Sequence, residues 1–171
     1  INKHLIMDKF NVHTIISSKE VIEICDNKYK TSSFLKDHGF NYPKTAYLKD
    51  VDIQSVEYPA IVKPAVGCRS IGVYKVDNLD ELLPHLEDTK DIIIQECVGN
   101  EDNEYTCTVV KIDDRMSPVL ALKRILRSGD TYRAEPVQSE KIEKYVLDVA
   151  SKLEIDGGCN FQLRLDINGE P

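Results

Sequence analysis

The sequence predicts an α+β protein, mixed α/β rather than all-helical or all-strand, in which a small strand–strand–helix–strand lobe is followed by a second, antiparallel sheet. Three observations predict it. Residues 58–98 alternate short β-branched runs with one helical stretch. Residues 105–126 read as two strands around the turn pair Asp113-Asp114. Residues 140–154 then put Ile142, Val146, Val149 and Leu153 on one helical face, ahead of a segment in which polar and apolar residues alternate.

Composition narrows the function classes. A chain of 171 residues suffices for one domain, or for two small lobes sharing a ligand. With 42% hydrophobic and 30% charged residues, no apolar run of bilayer length and no signal-peptide layout, it reads as a cytoplasmic protein without a membrane partner. The net charge of −7, from 29 acids against 22 bases, argues against a nucleic-acid partner, which calls for a basic surface. Any anion must then be gripped by a few placed cations. Cys25, Cys68, Cys97, Cys107 and Cys159 form no CxxC and no Cys/His cluster, so they read as small buried residues in a reducing compartment and not as a zinc site.

Element by element, residues 1–11 show no clean period and resemble the tail of something larger, and residues 11–16 (NVHTII) are strand-like. Ser17-Ser18 offers a cap for a helix over 19–25, and Asp26 one for a helix over 27–38 that stops at Gly39. Residues 60–62 form a short strand running into Lys63-Pro64, residues 71–76 a second, and residues 92–94 a third. Asn78 caps a helix over 79–86 that contains Pro84. Residues 105–112 and 117–126 pair as a hairpin, Ser139 caps a helix over 140–154 ended by Gly157-Gly158, and residues 159–167 form the last strand. Asn168-Gly169 is a strong signal for a type I′ hairpin turn. Such a turn calls for a return strand, and only Glu170 and Pro171 follow, so the chain is expected to stop within a hairpin.

Four segments carry candidate chemistry, each with a plainer alternative. Pro64 forces Lys63 into extended backbone, and Gly67 and Gly72 permit a loop whose amides, with Ser70, approach phosphate oxygens; an ordinary surface hairpin with a solvated lysine fits as well. Lys28 in a first helical turn is misplaced against the positive helix end unless an anion lies nearby. Residues 93–99 run from a strand into a connector able to meet an adenine edge, with Glu104 available to ribose hydroxyls, or they are simply a strand end and an acidic loop. Gln162, Arg164 and Asp166 share one strand face, suiting either a metal–phosphate site or solvent. Lys123, Arg124 and Arg127 precede the loop at 128–130 and meet phosphate, an acidic substrate or solvent.

In this order the segments resemble the ATP-grasp superfamily, above all the ATP-binding domain of the carbamoyl phosphate synthetase large chain and its stand-alone relatives. The likeness runs from about residue 17 to residue 171. Its anchors are DNKYKT (26–31), YPAIVKP…G…S.GV (58–73), IIQECVGNEDNEYT (93–106), RSGDTYRAEPVQ (127–138) and GGCNFQLRLDINGEP (157–171). The resemblance implies that Lys28 and Lys63 hold ATP phosphates under a mobile loop containing Gly67, Cys68, Ser70 and Gly72. It implies that Glu96, Cys97 and Val98 read adenine, that Glu104 takes the ribose, and that Gln162 belongs to a Mg2+ (or Mn2+) site. Arg164 and Arg127 are the catalytic cations it suggests, although Arg127 stands where the carbamoyl phosphate enzyme has a histidine.

The implied division is a remnant of a preceding domain at 1–25, a linker helix and connector at 26–57, the lid lobe at 58–98 and the large lobe at 99–171. The implied activity is that of an ATP-dependent carboxylate–amine ligase working through an acyl phosphate. Its partners would be ATP, a small carboxylate and an amine or related nucleophile, and a homodimer is compatible with it. Three departures stand out. Cys68 and Arg69 replace loop glycines, which stiffens the loop or adds a cation. The family's amino-terminal domain is almost wholly absent before residue 11. The family's metal-binding glutamate and asparagine lie past residue 171, so the metal site is expected to be incomplete and the chain inactive alone. A non-catalytic nucleotide-binding or regulatory module with a decayed metal site is the main alternative, and an unrelated α+β domain with chance matches is a weaker one.

Overall fold

A computed structural model of the chain describes residues 3–12, 14–68, 70–87, 90–100, 103–127 and 130–171. Arg69 and the tip of the loop at 128–129 lie outside the described residues. Helix α1 (Lys3–Phe10) buries none of its residues. The strand expected over 11–16 is not formed: its described residues are irregular, and Asn11 turns the chain at φ 50°. β-branched composition makes a strand only where another strand offers a ladder.

Ser18 caps α2 (Lys19–Asp26) by accepting from the Val21 amide. The cap of α3 (Lys28–Asp37) is Asn27, not Asp26: the Asn27 side chain accepts from the amides of Tyr29 and Lys30, while Asp26 stays in α2.

The small lobe is a four-stranded antiparallel sheet in the order β1–β4–β2–β3, from β1 (Thr45–Tyr47), β2 (Ala60–Pro64), β3 (Tyr74–Val76) and β4 (Ile92–Glu96). Strand β3 starts at Tyr74 rather than at residue 71, because Ser70 and Gly72, both at positive φ, turn the chain just before it. The helix expected over 79–86 divides into α4 (Leu79–Leu82) and a 3-10 turn, Leu83–Leu86. Pro84 has no amide to offer the preceding turn, which explains the break. Leu48, Ala60, Val62, Val76, Leu82 and Ile94 form this lobe's core. Leu82 is fully buried, and such a side chain contributes about 1.5–3 kcal/mol through its burial.

The large lobe contains β5 (Glu104–Ile112), β6 (Arg115–Met116), β7 (Leu120–Arg127), β8 (Asp130–Val137) and β9 (Gly157–Arg164). Strand β9 pairs with β5 along one side, while β6 and β7 follow one another along the other. The return strand expected over 117–126 is therefore broken. Ser117 bridges the break, its amide donating to the Val110 carbonyl and its hydroxyl accepting from the Val110 amide. Helix α5 (Glu140–Leu153) ends on Glu154 at φ 56°, so Gly157-Gly158 opens β9 instead of stopping the helix. Ile142, Val146, Ala150 and Leu153 of α5 share a core with Tyr105, Cys107 and Val109 of β5 and with Val21 of α2.

Two further expectations are corrected. Cys25 and Cys68 are exposed and only Cys107 is fully buried, although all five thiols are free. The last strand stops at Arg164, and the turn after it is not type I′. The Gly169 amide donates to the Asp166 carbonyl and the Asp166 amide to Glu170, with Gly169 at φ 74° and Asn168 outside the positive-φ region. That is a three-residue loop, a type I turn closed by a left-handed glycine. The Asp166 carboxylate accepts from the amides of Asn168 and Glu170, which holds it below the usual carboxylate range. No helix among the described residues is long and apolar enough to cross a membrane.

Candidate functional site

Lys28 and Lys63 meet where α3 begins and β2 ends. The Lys28 amide donates to the Ala65 carbonyl at 2.9 Å, and its ammonium donates to the Gly67 carbonyl at 2.9 Å. The start of the helix is thus tied to the loop after β2. Burial is the main cause that lowers the Lys28 ammonium from its ordinary pKa.

Along β2, Ala60 and Val62 enter the small-lobe core, which turns Lys63 to the opposite face. Its ammonium donates to Gln95 Oε1 at 2.6 Å, Gln95 Nε2 donates to Thr45 Oγ1 at 2.7 Å, and Thr45 Oγ1 donates to the Pro43 carbonyl at 2.8 Å. This chain of hydrogen bonds crosses the sheet and contains no carboxylate. Burial, followed by the positive charges of Lys28 and Arg164, lowers the Lys63 pKa to about 8, with Glu104 acting in the opposite sense. Those neighbours place Lys63 beside the floor of the large lobe.

On either side of Arg69, Gly67 and Gly72 of the loop lie close to Pro64. Ala65 is buried and its amide donates to the Asp91 carbonyl at 2.7 Å. Gly72, at φ 70°, lies so close that an added Cβ would sit 3.2 Å from Pro64 Cγ. Cys68 is exposed, and Ser70 holds φ 54°. Toward Lys28 the loop presents the Gly67 carbonyl, which takes one of the three donors of the ammonium.

Glu96 ends β4. Its amide donates to the Lys44 carbonyl at 2.8 Å and its carboxylate accepts from the Lys44 amide at 3.1 Å. Cys97 and Val98 are half-buried. Gly99 then passes over the end of β9 at φ 64°, where an added Cβ would lie 2.4 Å from the Leu165 carbonyl oxygen.

On the large sheet, Glu104 is opposite Arg164. Its carboxylate accepts from Arg164 Nη2 at 3.0 Å and Nε at 3.3 Å, and Arg124 Nη1 lies 3.7 Å away. Gln162 is exposed on the same face, opposite Thr106, next to Asn160, whose Oδ1 accepts from Thr106. Arg127 ends β7 opposite Asp130, and its guanidinium lies 5.4 Å from the Tyr132 ring centroid. The structure therefore brings Lys28, Lys63, Glu104 and Arg164 together and sets Arg127 on an aromatic ring. Among the described residues, no group of three or more His, Cys, Asp or Glu is placed to hold a metal ion, and Asp166 is spent on its own turn.

Sequence reasoning missed Gln95 and Thr45, and it left Arg124 undecided. A signal for Gln95 existed: it is the polar residue that follows the run Ile92-Ile93-Ile94. The pairing Lys63↔Ile93, which sets it beside the lysine, is a tertiary fact.

Known proteins resemble the chain in sequence and in fold. Over 108 residues the chain is 27% identical to a D-alanine–D-alanine ligase B of Clostridium tetani, a match covering 61% of this chain and 28% of that ligase. The crystal structure of an L-amino acid ligase from Bacillus licheniformis superposes with a TM-score of 0.74 at 26% identity, over 96% of this chain and 42% of that one. The N5-carboxyaminoimidazole synthetase of Staphylococcus aureus, complexed with ADP, shares the fold with a TM-score of 0.78 at 16% identity, over 99% of this chain and 49% of that one. The chain spans less than half the length of each. Residues 25–161 match the ATP-grasp domain, and a match over that much of the sequence, joined to the two-lobed fold, makes this chain a member of the ATP-grasp family.

Proposed function

We propose that this chain is the nucleotide-binding part of an ATP-dependent ligase that joins a small carboxylate to an amine or related nucleophile. The observation that carries the reading is that Lys28 and Arg164 both lie near Lys63, with Glu104 bonded to Arg164 as the carboxylate among them, in a protein whose net charge is −7. A buried lysine that also has cations for neighbours is costly unless a polyanion neutralises the group. The triphosphate of ATP is such an anion. In this reading Lys28 and Lys63 take phosphate oxygens under the 67–72 loop, Glu96, Cys97 and Val98 meet the adenine edge, and Glu104 faces the ribose.

The chemistry is phosphoryl transfer followed by acyl transfer. A carboxylate oxygen attacks the γ-phosphorus, the bond to the β-phosphate oxygen breaks, and ADP leaves. The nucleophile then attacks the acyl carbon and expels phosphate, with Arg164 beside the oxygens that gain charge. Such catalysis rests on positioning and charge neutralisation. Magnesium or manganese is the metal such a reaction suggests, but Gln162 is the one neutral oxygen donor proposed for it here, and the described residues supply no carboxylate cluster beside it. No step is therefore assigned to a metal, and turnover by this chain alone is not expected.

That observation also favours a second reading, a nucleotide-binding or regulatory module without catalysis. Calorimetric titration with ATP, ADP and adenosine tests both. We expect ATP to bind, Lys63→Met to weaken it by about tenfold or more, as loss of a charge-assisted hydrogen bond does, and Mg-ATP hydrolysis to stay at background. Unchanged ATP affinity in Lys63→Met would overturn the proposed phosphate grip, and carboxylate-dependent turnover would overturn the second reading.

A further inference from the structure

Arg124 is an unusual residue to bury. It is 7% exposed and sits on β7 beside Glu104, and its Nε is sealed from solvent without a hydrogen-bond partner. Glu104 Oε1, 3.7 Å from Nη1, is too far for a hydrogen bond, and both Arg164 bonds go to the other oxygen, Oε2. A guanidinium carries five N–H donors in a fixed fork. Removing it from water with Nε unsatisfied costs stability, so a residue serving packing alone would be better replaced by an apolar chain of the same length.

Charge points the same way. Arg124 and Arg164 flank Glu104, Glu104 also acts on Lys63, and Lys28 lies beside Lys63 with Asp26 as the carboxylate that acts on it. Cations exceed acids in this group, and after burial the charges of Lys28 and Arg164 add to the lowering of the Lys63 pKa. The side chain of Arg164 is 32% exposed, which opens the group to the cleft between the lobes.

We propose that Arg124 is an oxyanion-binding residue of the cleft, taking a phosphoryl or carboxylate oxygen of the ligand together with Arg164. Glu104 is the internal counter-ion that aligns the two guanidiniums before the ligand arrives. The inference deepens the nucleotide reading and rests on it only for the identity of the ligand. Its chemistry requires an oxyanion, which either the nucleotide or the second substrate can bring. It also revises the part given to Glu104, whose carboxylate is committed to arginine before it meets a ribose.

The test uses the whole chain and its Arg124→Met and Arg124→Lys variants, titrated with pyrophosphate, ATP, adenosine and acetate, with melting temperature followed alongside. Arg124→Met should keep or raise the melting temperature, keep adenosine binding, and lose about tenfold or more in affinity for the oxyanion probe that binds the parent chain, as a lost charged hydrogen bond does. Arg124→Lys should recover part of that loss. Loss with pyrophosphate and ATP assigns the site to phosphoryl oxygens, and loss with acetate alone assigns it to a carboxylate. A parent chain that binds pyrophosphate through Arg124 but neither ATP nor adenosine keeps this proposal and defeats the nucleotide reading. Unchanged oxyanion affinity in Arg124→Met overturns the proposal. So does a melting temperature lowered by many degrees with adenosine binding lost, which marks a structural arginine, and so does a parent chain that binds none of the oxyanions.

Discussion

Lys63 is held by an amide rather than a carboxylate, and the difference has measurable consequences. Gln95 accepts from the ammonium without supplying negative charge, so burial and the neighbouring cations keep the pKa near 8, where an ordinary lysine is at 10.5. Between those values the unfolded chain holds a proton that the folded chain has released. The contribution of Lys63 to stability therefore rises with pH across that window, and its burial penalty is complete below about 8. Urea unfolding of the parent chain and of Lys63→Met at pH 7.5 and pH 10 should show the gap closing at the higher pH, and a pH-independent gap would contradict the shift. Gln95→Glu should raise the lysine pKa, read from its side-chain NMR titration, and Gln95→Leu should lower it. Lysine and proline at 63 and 64 were legible as a site because proline constrains its predecessor. Gln95 and Thr45 were not legible as its supports, because they are 32 and 18 residues away and are joined to it only by strand pairing.

At the scale of elements, capped helices were the most legible. Ser18 and Ser139 act through local hydrogen bonds to amides three residues on, which a sequence displays directly. Strand β8 escaped notice because nearly all of its side chains are exposed, leaving no apolar alternation to read, and β1 escaped because three edge residues carry no period. The connector at residues 97–99 is an element of another kind, fixed by one backbone approach. Gly99 meets the Leu165 carbonyl within a distance no Cβ tolerates and holds positive φ as well. Gly99→Ala is expected to cost on the order of 1–3 kcal/mol, measured by urea denaturation, and to weaken binding of adenosine as well as ATP because the connector must move. A variant with parental stability would show that the strand end yields freely. Gly158, where an added Cβ meets nothing, is the control position.

At the scale of the molecule, the described residues form two cores, one under each sheet, and the candidate site joins Lys63 of the small lobe to Glu104 and Arg164 of the large one. Leu82→Ala in the small lobe should cost about 2–5 kcal/mol, as deletion of a buried leucine does. It should weaken ATP binding while leaving amide hydrogen exchange in α5 and β9 near parental values. Equal loosening of both lobes would mean that they unfold as one unit. The sequence by itself determined the α+β class, the capped helices, the hairpin pattern of the large lobe, the acidic surface, and the lysines and arginine that a phosphate needs. Those rest on local periodicity, capping and composition, which act within a few residues. Only the tertiary structure decided that Asn27 and not Asp26 opens α3, that Glu104 is gripped by two arginines, that Gln95 steadies Lys63 and that Arg127 rests on Tyr132. The cap is a choice between adjacent residues that both suit the role, and the other three are contacts whose distance or register exists only once strands have paired.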